Sequence, residues 1–206
     1  MTDTGIEQIM TLAPVIPVIV IDRVEDAVPM AEALVAGGLP VLEVTLRTAA
    51  ALDALQAMKS VAGAVVGAGT VLDPQMLNAA ISAGAEFIVS PGLTENLGKA
   101  ATASQFPFLP GTANASDIMR GLDLGLTHFK FFPAATSGGI PALKALAGPF
   151  GQARFCPTGG ITAATAPEWL ALDAVLCVGG SWVVPPGSLD PARVEALARE
   201  AAGLSR

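Results

Sequence analysis

Residues 15–38 read VIPVIVIDRVEDAVPMAEALVAGG, and the fold class turns on how this stretch divides. Val15 to Ile21 is a short β-branched run, the length of a buried strand. Val24 to Ala36 is alanine-rich with apolar residues at helical spacing, and Gly37 and Gly38 close it. One strand followed by one helix is the repeating unit of parallel α/β proteins.

The unit recurs along the chain. Further strands are expected at Val41–Leu46, Ala64–Ala68, Phe87–Ser90, Phe108–Pro110, His128–Phe132, Arg154–Pro157 and Val175–Gly179, eight in all. Helices are expected between them at Ala49–Lys59, Pro74–Ala83, Thr94–Ala103, Ala115–Leu124, Gly139–Ala147 and Ala166–Leu170, with Ala192–Ala202 last. Asp73 before Pro74 and Asp190 before Pro191 each offer a capping carboxylate followed by a proline at the first helical position. A further helix is expected at Gly5–Leu12. Eight units favour closure, since a closed sheet has no edge strands, so the expected fold is a single-domain (β/α)8 TIM barrel over residues 1–206 with an extra N-terminal helix. At 206 residues the chain is near the lower end for that fold, which leaves room for short loops only.

Composition bounds the function. With 52% hydrophobic and 14% charged residues the chain can bury a large core and shows no low-complexity segment. The net charge of −7, without a basic stripe, argues against a nucleic acid partner. Mean hydropathy is +0.59, yet no apolar run nears the ~20 residues that span a bilayer, so no membrane segment is expected. Met1 to Thr11 is polar and acidic, with no basic or apolar region of a secretion signal, and a cytoplasmic location is expected. Cys156 and Cys177 lie in apolar runs and read as reduced core thiols. With the single histidine His128 and no clustered ligands, no metal site is expected.

Of the four lysines, Lys59, Lys99 and Lys144 fall on helical segments and read as solvated. Lys130 stands in the strand run Phe129-Lys130-Phe131-Phe132, where burying an ammonium without a function costs several kcal/mol. Alternation puts His128, Lys130 and Phe132 on one face and Phe129 and Phe131 on the other, so the lysine points inward while the phenylalanines meet helices. A lysine amine in its neutral form attacks ketones. The implied chemistry is an imine with a carbonyl substrate, whose protonated form takes up electrons from an adjacent C–C bond.

In Val41-Leu42-Glu43-Val44-Thr45-Leu46-Arg47 the polar residues Glu43, Thr45 and Arg47 share one face. Glu43 and Arg47 either neutralise one another or take separate tasks. In the second reading Glu43 shuttles protons for imine formation and C–C cleavage, and the planar fork of Arg47 receives the carboxylate of a 2-oxo acid. Thr70, ending Gly67-Ala68-Gly69-Thr70, reads equally as a turn residue or as a hydroxyl on that carboxylate. The seventh and eighth strands run into glycine pairs, Gly159-Gly160 and Gly179-Gly180, the latter followed by Ser181. Glycine pairs also make ordinary turns, but after strands seven and eight of a barrel they build a common phosphate site.

Taken together, VLEVTLR (41–47), VGAGTV (66–71), Ser90-Pro91-Gly92, FKFFP (129–133), FCPTGG (155–160) and VGGSW (178–182) closely resemble the 2-keto-3-deoxy-6-phosphogluconate and 4-hydroxy-2-oxoglutarate aldolase family. The resemblance runs from about Pro14 to Val184. It implies a class I aldolase, with no cofactor or metal, that reversibly cleaves 2-keto-3-deoxy-6-phosphogluconate to pyruvate and glyceraldehyde 3-phosphate in the Entner-Doudoroff pathway, and also 4-hydroxy-2-oxoglutarate to pyruvate and glyoxylate. Its small-molecule partners are thus a 2-oxo acid and an aldehyde phosphate. Carried onto this sequence, the Schiff-base lysine falls on Lys130 and the acid/base glutamate on Glu43. The pyruvate carboxylate contacts fall on Arg47 and Thr70, with Pro91 and Phe132 shaping the pocket. The phosphate contacts fall on Gly159, Gly160, Gly180 and Ser181, and Thr158 falls where C4 stereochemistry is judged. A homotrimer is also implied. One departure is the neutral run Ala134-Ala135-Thr136-Ser137, where many relatives carry an acidic residue near the position of Ala135; it bears on loop packing and aldehyde preference. Two rival readings remain from the residues: a phosphate-binding barrel isomerase using Glu43 as a plain base, and a binding protein without catalysis.

Overall fold

The computed structural model describes residues 2–205, with side chains from residue 5 to residue 205. Helix α1 (Thr2–Thr11) precedes β1 (Val15–Ile19), α2 (Ala27–Ala36), β2 (Val41–Thr45), α3 (Ala51–Met58) and β3 (Val65–Gly69). Then follow α4 (Pro74–Ser82), β4 (Ile88–Val89), α5 (Glu95–Ser104), β5 (Phe108–Leu109), β6 (Gly111–Thr112), α6 (Ala115–Asp123) and β7 (His128–Phe131). The chain continues through α7 (Gly139–Ala147), β8 (Arg154–Pro157), α8 (Ala166–Leu170), β9 (Val178–Gly180) and α9 (Pro191–Ala202).

The architecture is α/β, with every strand pair parallel. Six strands run in the order β5-β4-β3-β2-β1-β9 and three in the order β6-β7-β8. Single bridges, Phe155 to Val175 and Thr158 to Gly179, join β8 to the segment that carries β9. The expected strand Phe108–Pro110 is split. Leu109 pairs with β4 on one side, Gly111 pairs with Lys130 of β7 on the other, and Pro110 lies between them. Proline has no N–H to donate to a ladder, although its carbonyl still accepts from Lys130 N at 2.8 Å.

Other boundaries moved for local reasons. Val24–Asp26 forms a 3-10 turn before α2 instead of the helix's first turn. β2 ends at Thr45, so Leu46 and Arg47 belong to a turn rather than the strand, with Arg47 N donating back to Thr45 O. β9 begins at Val178, three residues later than expected, because Val175 makes only the single bridge to Phe155. The capping readings hold. The Asp73 carboxylate accepts from Met76 N ahead of α4, and that of Asp190 accepts from Arg193 N ahead of α9.

The core has two parts, one on each face of the sheet. Leu42, Val44, Phe129, Phe131, Phe155 and Val178 pack outward against the helices. Phe129 meets Phe155 at 6.1 Å between ring centroids, and Phe131 meets Trp169 of α8 at 6.3 Å. Burying each phenylalanine is worth about 1.5–3 kcal/mol. A one-residue slip of β7 would turn both to the wrong face, and this fixes the inward direction of Lys130. The inner face carries Ile16, Val41, Phe87, Val89, Leu109 and Cys156, and α1 adds Ile6 and Met10 to the same cluster. Further along the same strands lie the buried polar residues Glu43, Thr45, Lys130 and Thr158.

Candidate active site

Glu43 and Lys130 are 87 residues apart in sequence, and the Lys130 Nζ donates to Glu43 Oε1 at 2.9 Å. Both are almost fully enclosed, at 3% and 5% exposure. Each needs the other, since an unpaired charge at this depth costs several kcal/mol. The contact is also a ready proton path. The Phe132 ring lies 5.4 Å from the Lys130 nitrogen, within range of a cation–π contact. Thr45, two residues beyond Glu43 on the same face, is held toward β1 by donating to Ile19 O at 2.7 Å.

Around this pair the expected site residues gather at the C-terminal ends of neighbouring strands. Arg47 stands exposed in the turn after β2. Thr70 follows β3 with a left-handed backbone, φ 60°. For a β-branched residue that conformation costs about 1–3 kcal/mol, and such strain concentrates at functional sites. Pro91 is brought in by a close approach: a Cβ on Gly111 would lie 2.2 Å from Pro91 C and O. Only glycine fits there, and Gly111 is the register partner of Lys130. Ser90, fully buried, pins the same turn by donating to Gly92 O at 2.7 Å. In the sequence Ser90 stands out only as the end of a strand and the start of Ser90-Pro91-Gly92.

On the other side, Thr158 is buried after β8, with its Oγ1 3.3 Å from Cys156 O and 3.8 Å from Cys156 Sγ. A Cβ on Gly179 would fall 2.2 Å from that Oγ1, so the glycine gives the threonine its room. Gly159 and Gly160 have φ of 100° and 75°. Ala134 N donates to Thr158 O at 2.8 Å and Ala135 N to Gly159 O at 3.0 Å, tying the loop after β7 to the glycine turn. A Cβ on Gly160 would meet the Ala135 Cβ at 2.6 Å, so the small neutral residue at 135 packs directly against the turn. Gly180 is buried against the Trp182 ring, and Ser181 is exposed beside it.

A cavity of about 810 Å³ opens between the ends of β1 and β9, lined by Val18, Asp22, Arg23, Ser181 and Arg193 among others. Val18 is the register partner of Glu43, so the cavity reaches the strand beside the carboxylate. Arg23 and Arg193 were not singled out from sequence. They are far apart in sequence and only the folded chain brings them to one cavity, which no local pattern carries. Among the described residues, no three or more His, Cys, Asp or Glu side chains are placed to hold a metal ion, and no helix is long and apolar enough to cross a membrane.

Comparison with known proteins agrees with this chemistry. Residues 6–199 match the family model for KDPG and KHG aldolase. The chain is 57% identical over 202 residues to the KHG/KDPG aldolase of Escherichia coli K12, covering 96% of this chain and 95% of that protein. The crystal structure of the 2-keto-3-deoxy-6-phosphogluconate aldolase of Zymomonas mobilis ZM4 with 3-phosphoglycerate superimposes with a TM-score of 0.98. It is 61% identical and covers 99% of this chain and 98% of its own. The KDPG aldolase of Legionella pneumophila, with pyruvate captured at low pH as a covalent carbinolamine intermediate, gives a TM-score of 0.93 at 47% identity, covering 96% and 98%.

Proposed function

The chain belongs to the KDPG and KHG aldolase family, and from that premise we propose how its own residues carry the reaction. It is a lyase that cleaves 2-keto-3-deoxy-6-phosphogluconate to pyruvate and glyceraldehyde 3-phosphate. In the proposed course, the proton shared between Lys130 and Glu43 moves to the carboxylate, and the freed amine adds to the C2 ketone. Glu43 returns a proton to the carbinolamine hydroxyl, which leaves as water and gives the protonated imine. The carboxylate then takes the C4 hydroxyl proton, the C3–C4 bond breaks, and its electron pair moves into the imine to form an enamine. Glyceraldehyde 3-phosphate departs, Glu43 protonates C3, and water releases pyruvate from Lys130.

The observation that carries this reading is the 2.9 Å contact between two buried side chains from strands far apart in sequence. The Legionella relative's captured carbinolamine supports the same covalent chemistry. In the proposal Arg47 and Thr70 receive the pyruvate carboxylate, Pro91 and Phe132 shape the pocket, and Thr158 judges C4. The substrate phosphate lies against Gly159, Gly160, Gly180 and Ser181, and the left-handed φ at the first two supports a backbone open to close approach. The name of the Escherichia coli relative supports a second substrate, 4-hydroxy-2-oxoglutarate, cleaved to pyruvate and glyoxylate.

The two sheets, in the same reading, form one closed (β/α)8 barrel in a single domain with α1 as an addition. The pairing of Leu109 and Gly111 to opposite neighbours and the Thr158–Gly179 bridge support this. The same reading takes the protein as a cytoplasmic homotrimer, with exposed apolar side chains such as Leu72 and Met119, at 54% and 56%, assigned to its subunit contacts. The test of the central claim is reduction with borohydride in the presence of pyruvate. The Lys130 peptide gains the mass of reduced pyruvate imine; an unmodified Lys130 overturns the reading, and a plain-base isomerase predicts that null result.

A further inference from the structure

The inner face of β3 carries two glycines, Gly67 and Gly69, with Ala68 between them facing outward. Each leaves a space that a neighbour fills. A Cβ on Gly67 would lie 2.4 Å from the Phe87 ring. A Cβ on Gly69 would lie 2.4 Å from Glu43 Oε1, 2.7 Å from its Cγ and 2.9 Å from its Cδ. Glu43 pairs in register with Gly67 and Thr45 with Gly69. The Glu43 side chain therefore leans along the strand toward the C-terminal mouth and lies over Gly69. The oxygen that fills this notch is the one that accepts from Lys130 at 2.9 Å.

We infer that Gly69 is a positioning residue for the aldol cleavage: its missing side chain is the seat that holds the Glu43 carboxylate against Lys130. This rests on the assignment of Glu43 as the proton-transfer group. The carboxylate is bounded by the β3 backbone on one side and by the lysine nitrogen on another. Gly69 has no left-handed φ, so alanine suits its backbone. The three nearest atoms to an added methyl all belong to one flexible side chain. The strand stays and Glu43 gives way, by roughly 1 Å if ordinary contact distances are restored. A misplacement of that size at a reacting group costs on the order of 10²-fold.

The test is a double-mutant cycle of Gly69→Ala and Glu43→Ala, read in kcat and KM for cleavage. Gly69→Ala lowers kcat about 10²-fold with KM little changed, and adds no further loss in the Glu43→Ala background, where nothing is left to displace. If Glu43→Ala turns over normally, the acid/base assignment fails. If Glu43→Ala is slow while Gly69→Ala matches the wild type, the positioning inference alone fails. Equal losses from Gly69→Ala in both backgrounds also overturn it, since the methyl then acts on the fold and not through Glu43. Should Gly69→Ala be too unstable to assay, the cycle is read in Tm. The double variant must then recover the Tm of Glu43→Ala, and failure to do so refutes the inference.

Discussion

The inner face of the sheet changes character within two residues on three separate strands. On β2 the apolar Val41 precedes Glu43, on β7 His128 precedes Lys130, and Cys156 of β8 precedes Thr158 just beyond the strand's end. Toward the strand N-termini the layer is packed with Val41, Phe87, Leu109 and Cys156 and backed by Ile6 and Met10 of α1. Even its polar member, His128, faces α1, with Nε2 4.0 Å from a Glu7 carboxylate oxygen. One step along, the layer is polar and reactive. The same two-residue period builds both, so the difference lies in what the side chains are for. The lower layer excludes water and supplies stability. The upper layer holds two charged groups that contribute to stability only while paired, and that pairing is available for chemistry.

The sharpest way to break the comparison is at the upper layer. Glu43→Gln keeps the shape and much of the hydrogen bonding but cannot take a proton. Turnover is expected to fall on the order of 10²-fold or more, the scale of lost general acid-base catalysis, while the fold and some pyruvate binding persist and the melting temperature drops because Lys130 loses its charged partner. Steady-state kinetics beside thermal denaturation measures both. Near-normal turnover would remove Glu43 from the mechanism and leave it as a structural partner of Lys130.

Much of the upper layer was legible because it follows strand parity. Lys130 inward between two outward phenylalanines, and Glu43 inward between Leu42 and Val44, are local facts of alternation, and the structure agrees on both faces. What escaped was everything set by register between strands. That the Glu43 carboxylate lies over Gly69 depends on the offset of β2 against β3, and that Pro91 comes close to Gly111 depends on a turn meeting a strand from another unit. The placement of Arg47 failed for a different reason. Alternation continues smoothly through Leu46 and Arg47 in the sequence, while the hydrogen bond from Arg47 N to Thr45 O closes a turn there. The break of the fifth strand at Pro110 was readable in principle from the missing N–H.

The lower layer is tested by Met10→Ala. Met10 is fully buried in the cluster under the sheet, and truncating such a side chain costs about 2–5 kcal/mol. Denaturant melts should show that loss with kcat unchanged wherever the protein remains folded. A large drop in kcat of the folded variant would mean the two layers are not separable, and that the apolar floor holds Lys130 or Glu43 in place.

The smallest expected effect falls at the rim, where neither layer's argument applies. Ser181 is exposed, lines the cavity beside β9, and has glycine backbone for neighbours. A hydroxyl donating to a phosphate is worth about 1.5–3 kcal/mol at a well-enclosed site. At an exposed one shared with backbone amides the lower end applies, about 10-fold in kcat/KM. Ser181→Ala should therefore lower kcat/KM for the phosphorylated substrate while leaving cleavage of the analogue lacking phosphate unchanged, so the preference between them shrinks. An equal loss on both substrates would show that Ser181 acts on the pyruvate end or on the loop. An unchanged preference would leave the glycine backbone as the sole phosphate contact and put the rim's selectivity in Gly159 and Gly160, whose left-handed conformations no side chain substitution at 181 disturbs.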